Sequence, residues 1–143
     1  LKSFGYCFKK HYDYPATLKL LNIKKKFLID NSISIESVEV GHGNINSLSF
    51  VINKKIAYLP DANKIYDKDI KIFKNLDYLI IDCLRYKKHP SHFNLDDILR
   101  INKLLNSKKV ILTNLHSDLD YDELSDILPN NIKPAYDGLK LNI

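Results

Sequence analysis

Ile33, Ile35, Val38 and Val40 stand among polar residues, and β-branched side chains at this spacing predict a strand over Ile33 to Val40. The step from odd to even apolar positions between Ile35 and Val38 predicts a bulge inside it. Gly41-His42-Gly43 ends the strand. Ser47 to Ile52 and Lys55 to Leu59 read as two further short strands, joined by Asn53-Lys54, a pair suited to a tight hairpin turn, and Leu59-Pro60-Asp61 closes the second. A short helical stretch follows near Asp67 to Lys74. Leu76 to Leu84 is almost continuously apolar, which predicts a central strand covered on both faces.

Arg85 to Phe93 is a polar loop carrying two histidines, and Asn94 begins the clearest helix. Asn94 can cap free backbone N–H groups, and Asp96 and Asp97 suit the positive end of the helix dipole. Leu95, Ile98, Leu99, Ile101, Leu104 and Leu105 give the helix an apolar stripe. Val110 to Thr113 is another buried strand, and Asp122 to Leu128 a helix stopped by Pro129. Before all of these, Phe4, Tyr6, Phe8, Tyr12 and Tyr14 form an aromatic-rich stretch broken by Pro15, and Leu18 to Ile23 reads as a short strand or helix. Strands alternating with helices, without repeats or a linker, define an α/β fold in one domain over residues 1–143, with a mixed β-sheet and flanking helices.

Composition narrows this picture. At 143 residues, 45% hydrophobic and 27% charged, the chain can bury one core and is neither disordered nor fibrous. No apolar run approaches the roughly 18 residues that cross a bilayer, and the first residues lack the plan of a signal peptide, so a cytoplasmic protein with no membrane partner is expected. Cys7 and Cys83 are expected as free thiols, since Cys83 falls inside an apolar run. The net charge is +5, yet only Arg85 and Arg100 among the 22 basic residues are arginine, while Asn and Ile are abundant. Lys, Asn and Ile share AT-rich codons, a plainer source of the charge than a phosphate-binding face. Methionine is absent, so a chain starting at Leu1 reads as a processed product, a recombinant segment or a piece of a longer reading frame.

The candidate chemistry lies where predicted strands end. His42 follows the first strand, Asp61 the hairpin strand, His89 and His92 the central strand, and His116 the strand at 110–113. Loops leaving the carboxyl ends of strands in one sheet converge, so these groups form a candidate metal site. Imidazole and carboxylate suit Zn²⁺, Mn²⁺ or Fe²⁺, and an aspartate can bridge two ions. Taken singly, a loop histidine is more often exposed or a capping group, and Asp61 in Pro60-Asp61-Ala62-Asn63 has an ordinary turn role. His11 reads as a surface or packing residue, and Asp118, Asp120 and Asp122 as caps for the following helix. No Gly-x-Ser-x-Gly, Gly-rich phosphate loop, His-Glu-x-x-His or Cys-x-x-Cys is present.

The ordered series Gly41-His42-Gly43, Tyr58-Leu59-Pro60-Asp61, Ile80-Ile81-Asp82, His92-Phe93-Asn94-Leu95-Asp96, Thr113-Asn114-Leu115-His116-Ser117-Asp118-Leu119-Asp120-Tyr121 and Pro134-Ala135-Tyr136-Asp137-Gly138 resembles the metallo-β-lactamase superfamily. In particular it is similar to the carboxyl-terminal half of its phosphodiesterase-like branch. The resemblance implies a four-layer αββα sandwich of which this chain supplies about the C-terminal half. It also implies His42 and His116 as ligands of two different ions and Asp61 as the bridging, catalytic carboxylate. His92 would be the catalytic group at the substrate phosphate or leaving group, with Asp82 and Asp137 as supports.

The family's principal metal motif, His-x-His-x-Asp-His, is absent, so the chain resembles a fragment of a longer metallo-hydrolase. For such a parent the implied activity is hydrolysis of a small phosphodiester or nucleotide-like substrate with two divalent ions, zinc or manganese before iron. Three ligands alone predict weak or no metal binding and little activity for this chain, and the missing half predicts self-association through uncovered surface. Two other functions stay open: a non-catalytic module binding RNA or assembling with a partner, and hydrolysis of a thioester or lactone.

Overall fold

A computed structural model describes residues 7–9, 18, 19 and 21–142. His11 and most of the aromatic stretch lie outside the described residues, and those described between Leu18 and Ile23 form neither strand nor helix. Seven strands follow in chain order: β1 (Lys26–Ile29), β2 (Ile33–His42), β3 (Ile45–Ile52), β4 (Ile56–Leu59), β5 (Tyr78–Asp82), β6 (Lys109–Thr113) and β7 (Ile132–Pro134). A 3-10 segment over Asp67–Phe73 takes the place of the predicted helical stretch, α1 spans Leu95–Leu105 and α2 spans Tyr121–Ile127. The strands form one mixed sheet in the order of the chain. From β1 to β4 neighbours are antiparallel, and from β4 to β7 they are parallel.

The predicted bulge in β2 is not there. Ile35 to His42 pair residue for residue with Ile52 to Ile45, and β1 continues the ladder on the other side. The step in the apolar pattern instead marks a change of buried face: Val38 and Val40 face the main core, while Ile35 is buried on the opposite side. Two of the three hairpins that build this antiparallel part turn through two residues at positive φ, Asp30-Asn31 and Asn53-Lys54. Each turn closes with a hydrogen bond three residues back, Ser32 N–H to Ile29 O and Lys55 N–H to Ile52 O. That twist matches antiparallel strands, and Asp and Asn tolerate it because their short polar side chains bond locally.

The main core lies on one face. Val51, Ala57, Leu59, Leu79, Ile81, Val110 and Leu112 alternate inward and meet Phe73, Ile98, Leu105 and Leu124 from the flanking helical segments. Asn94 caps α1 through a reciprocal pair, its side chain accepting from Asp97 N–H while the Asp97 carboxylate accepts from Asn94 N–H. Asn106 ends the helix in the left-handed conformation. Leu104, read as part of the apolar stripe, is exposed, because the buried face follows Leu95, Ile98 and Leu105. Asp120 caps α2 by accepting from Asp122 and Glu123 N–H.

On the second face Ile56, Tyr78 and Ile111 are buried beside Ile52, Ile80, Ala135, Leu139 and Leu141. Leu48 and Tyr58, which alternate onto the same side, reach solvent. No helix among the described residues is long and apolar enough to cross a membrane.

Candidate metal centre

Strand direction decides where the chemistry gathers. With β2 and β4 each antiparallel to β3, and β5 and β6 parallel to β4, the carboxyl ends of β2, β4, β5 and β6 all point to one edge. The loops there are fastened to one another by main chain. Asn63 N–H donates to Gly41 O, Phe93 N–H to Ala62 O, Leu84 N–H to Phe93 O, and His116 N–H to Leu84 O. The sheet thus delivers His42, Asp61, His89, His92 and His116 to one edge of the molecule.

Three of them come closest. His42, Asp61 and His92 each offer a ligand atom, and these atoms lie within 4.8 Å of one another. The rings of His42 and His92 meet edge to face with centroids 4.7 Å apart. His42 Nδ1 donates to the Ser91 carbonyl at 2.7 Å, and His92 Nδ1 donates to the Asp82 carboxylate. A carbonyl and a carboxylate only accept, so the proton of each neutral ring sits on Nδ1 and the lone pair on Nε2. Two anchored imidazoles with free Nε2 and one exposed carboxylate are a donor set that fits a divalent transition metal.

Asp82 is fully buried at the end of β5, and burial pushes its carboxyl up to about 6 against the opposing pull of the His92 hydrogen bond and charge and of Ala62 N–H. Asp61 adds negative charge nearby and raises it further. One Asp82 oxygen, Oδ1, has no partner among the described residues. The neighbouring Cys83 thiol is pushed up to about 12, by burial first and then by the charges of Asp82 and Asp97, which makes it no thiolate ligand at neutral pH.

His116 is not in the close group. Its ring is more than half exposed and its Nδ1 donates to Asp118 at 2.8 Å, which leaves Nε2 free in the same way. Asp137 lies exposed in the turn before Gly138, without a side-chain hydrogen bond among the described residues. His89 stands beside the close group, its ring 5.1 Å from that of His92. Desolvation, then the positive charges of Arg85, His92 and His42, hold His89 below the usual histidine range.

Sequence reasoning missed the frame around these rings. Asn63 donates to the Pro90 carbonyl at 2.7 Å and accepts from Gly43 N–H, clamping the loop at 89–92 onto the loop after β2. Gly43 has φ +62°, and a Cβ there would stand 3.1 Å from Ser91 Cβ. The glycines flanking His42 were the available signal: one allows the left-handed turn, the other a close approach to Lys64.

A mixed sheet whose strand ends gather two imidazoles and an aspartate defines a metal-site scaffold of the α/β class. Residues 2–114 match the family model described as β-lactamase superfamily domain, and the chain belongs to the metallo-β-lactamase superfamily. A solved structure of a diphosphatase from the PhnP family is 31% identical, superimposes with a TM-score of 0.81, and is matched over 86% of this chain and 48% of its own. Human tRNase Z, short form, shares the fold at 17% identity and a TM-score of 0.63, over 80% of this chain and 44% of its own. A protein of Porphyromonas gingivalis named octanoyltransferase is 31% identical over 140 residues, which are 94% of this chain and 28% of that protein. The chain thus spans about half the length of these solved structures and less of the curated relative.

Proposed function

We propose that this chain forms part of a metal-dependent hydrolase acting on phosphodiester or diphosphate bonds of small, nucleotide-like substrates in the cytoplasm. The observation that carries the reading is the convergence of His42, Asp61 and His92, with both rings anchored at Nδ1 and free at Nε2. Its support from relatives is the diphosphatase of 31% identity. The tRNA-processing name of a second structure keeps RNA in the substrate class.

His42 and Asp61 would hold a divalent ion, zinc or manganese, and His116 would serve a second ion from the adjoining loop. Such ions, when bound, polarise a phosphoryl group and acidify a water. His92 stands beside that pair with its Nδ1–H on a buried carboxylate, an arrangement that fixes the ring and its tautomer. We assign His92 the transfer of a proton through Nε2, whose lone pair takes a proton from the attacking water and passes it to the leaving oxygen, with Asp82 as the positioning residue. Residues outside this chain would complete the ligand shell, because His42, Asp61 and His116 are three groups where two ions need more. The apolar second face, where Leu48 and Tyr58 reach solvent, supports self-association or coverage by the remainder of a sandwich.

Hydrolysis of bis(4-nitrophenyl) phosphate with added Mn²⁺ or Zn²⁺ tests the reading. A slow reaction is expected, abolished by a chelator and by His42→Ala. Hydrolysis that survives chelation, or a nitrophenyl thioester cleaved in preference, contradicts it.

A further inference from the structure

Three histidines at the sheet edge share one wiring: Nδ1 donates, to Ser91 O from His42, to Asp82 from His92 and to Asp118 from His116. His89 is wired the other way. Its Nδ1 accepts from Ser91 N–H at 3.4 Å, and Ser91 Oγ lies 3.3 Å from the same nitrogen. Asp118 N–H approaches His116 Nδ1 at the same 3.4 Å, but there a carboxylate at 2.8 Å claims the ring proton, whereas His89 Nδ1 faces only an amide donor and a hydroxyl that can donate, so its lone pair faces Ser91 and the ring proton sits on Nε2. That N–H has no partner among the described residues and is not a buried atom. Its ring stands 5.1 Å from His92, which in turn stands 4.7 Å from His42. A ring with its lone pair committed to the main chain has no spare nitrogen for a metal; it offers a donor.

On the same loop, Arg85 donates from Nη2 to Lys88 O at 3.1 Å, and its Nε is buried without a partner among the described residues. A guanidinium bonded to the carbonyl of the residue before His89, its positive charge felt at that imidazole, is chemistry that suits a phosphoryl oxygen.

We propose that His89 is a substrate-orienting residue, donating from Nε2 to a phosphoryl oxygen of a substrate placed at His42, Asp61 and His92, with Arg85 supplying positive charge behind it. This rests on the phosphoryl-hydrolysing reading of the site. One histidine loop thereby divides its labour: His92 handles the proton, and His89 holds the anion in register without competing for metal.

The test has two arms on the 143-residue chain. Long-range ¹H–¹⁵N spectra of the metal-free protein report each ring's tautomer. The expected result is an Nε2–H form for His89 and Nδ1–H forms for His42, His92 and His116; an Nδ1–H form at His89 overturns the proposal. The second arm titrates inorganic pyrophosphate in the presence of zinc, followed by ³¹P resonance, in the wild type, His89→Leu and His89→Gln. Leucine removes the donor, whereas the glutamine amide restores an N–H near the Nε2 position. A loss of about tenfold or more in pyrophosphate affinity is expected for His89→Leu, with His89→Gln recovering most of it. Equal binding by His89→Leu and the wild type, or no binding by the wild type, overturns the proposal. Zinc affinity on the same samples separates the two readings. Loss of zinc binding in the wild type refutes the metal site, whereas intact zinc binding with pyrophosphate affinity indifferent to His89 refutes this inference alone.

Discussion

The Asp82 carboxylate, fully buried at the end of β5, accepts from Nδ1 of His92 ten residues later, across the loop that also carries His89 and Ser91. The bond ties the floor of the sheet to a ring at its open edge. A group inside the core therefore sets the geometry, and the electrostatics, of one on the surface.

The stability of the metal-free chain should carry the signature of that buried carboxyl. Burial raises Asp82 from 3.8 to about 6, so the fold favours its protonated form. The stabilisation is fully present below about pH 4 and is lost as pH rises through about 6, a swing of roughly 2–3 kcal/mol. Asp82→Asn has no such titration. Urea unfolding across this window should show the wild type losing stability relative to the variant as pH rises, and parallel curves would contradict the assignment.

Gly43→Ala probes the clamp between loops. The added Cβ meets Ser91 Cβ at 3.1 Å in a left-handed backbone, which costs about 1–2 kcal/mol before any loop shift. The loop at 89–92 must also yield, so the His42 and His92 resonances should move more than those of Asn94 and the rest of α1. A variant with unchanged stability and spectrum would show that the clamp is slack.

The two thiols should separate cleanly. Both are free, Cys83 is fully buried with its thiol pushed up to about 12, and Cys7 is partly exposed. With an aromatic disulfide reagent at neutral pH, one thiol should react in the native chain and the second only on unfolding. Two thiols titrating at once would place Cys83 outside the core.

Much of this was legible in the residues. β2 to β6 and both helices follow period and caps: Asn94 with Asp97 opens α1 and Pro129 follows α2. β1 and β7 were not legible. Lys26–Ile29 is mostly exposed and gains its strand identity from the Asp30-Asn31 turn and its partner, and Ile132–Pro134 is a three-residue edge strand containing proline. The apolar step at Ile35 was read as a bulge because periodicity cannot tell a shifted backbone from a strand buried on both faces. At the site, strand ends located His42, Asp61 and His92, since direction follows from topology. Which nitrogen of each ring is committed depends on Ser91 O, Ser91 N–H and Asp82, contacts between main chain and side chain that carry no sequence pattern.

The central claim is that His42 and Asp61 hold metal beside a proton-delivering His92. Zinc titration against a chromophoric chelator, on the wild type, His42→Ala, Asp61→Asn and His92→Ala, tests it directly. Modest zinc affinity in the wild type, weakened about tenfold or more by His42→Ala and Asp61→Asn and little changed by His92→Ala, is the predicted result. Equal zinc affinity in the wild type, His42→Ala and Asp61→Asn would contradict the account, no zinc binding at all would contradict metal binding by this chain alone, and a loss with His92→Ala as large as with His42→Ala would make His92 a ligand instead.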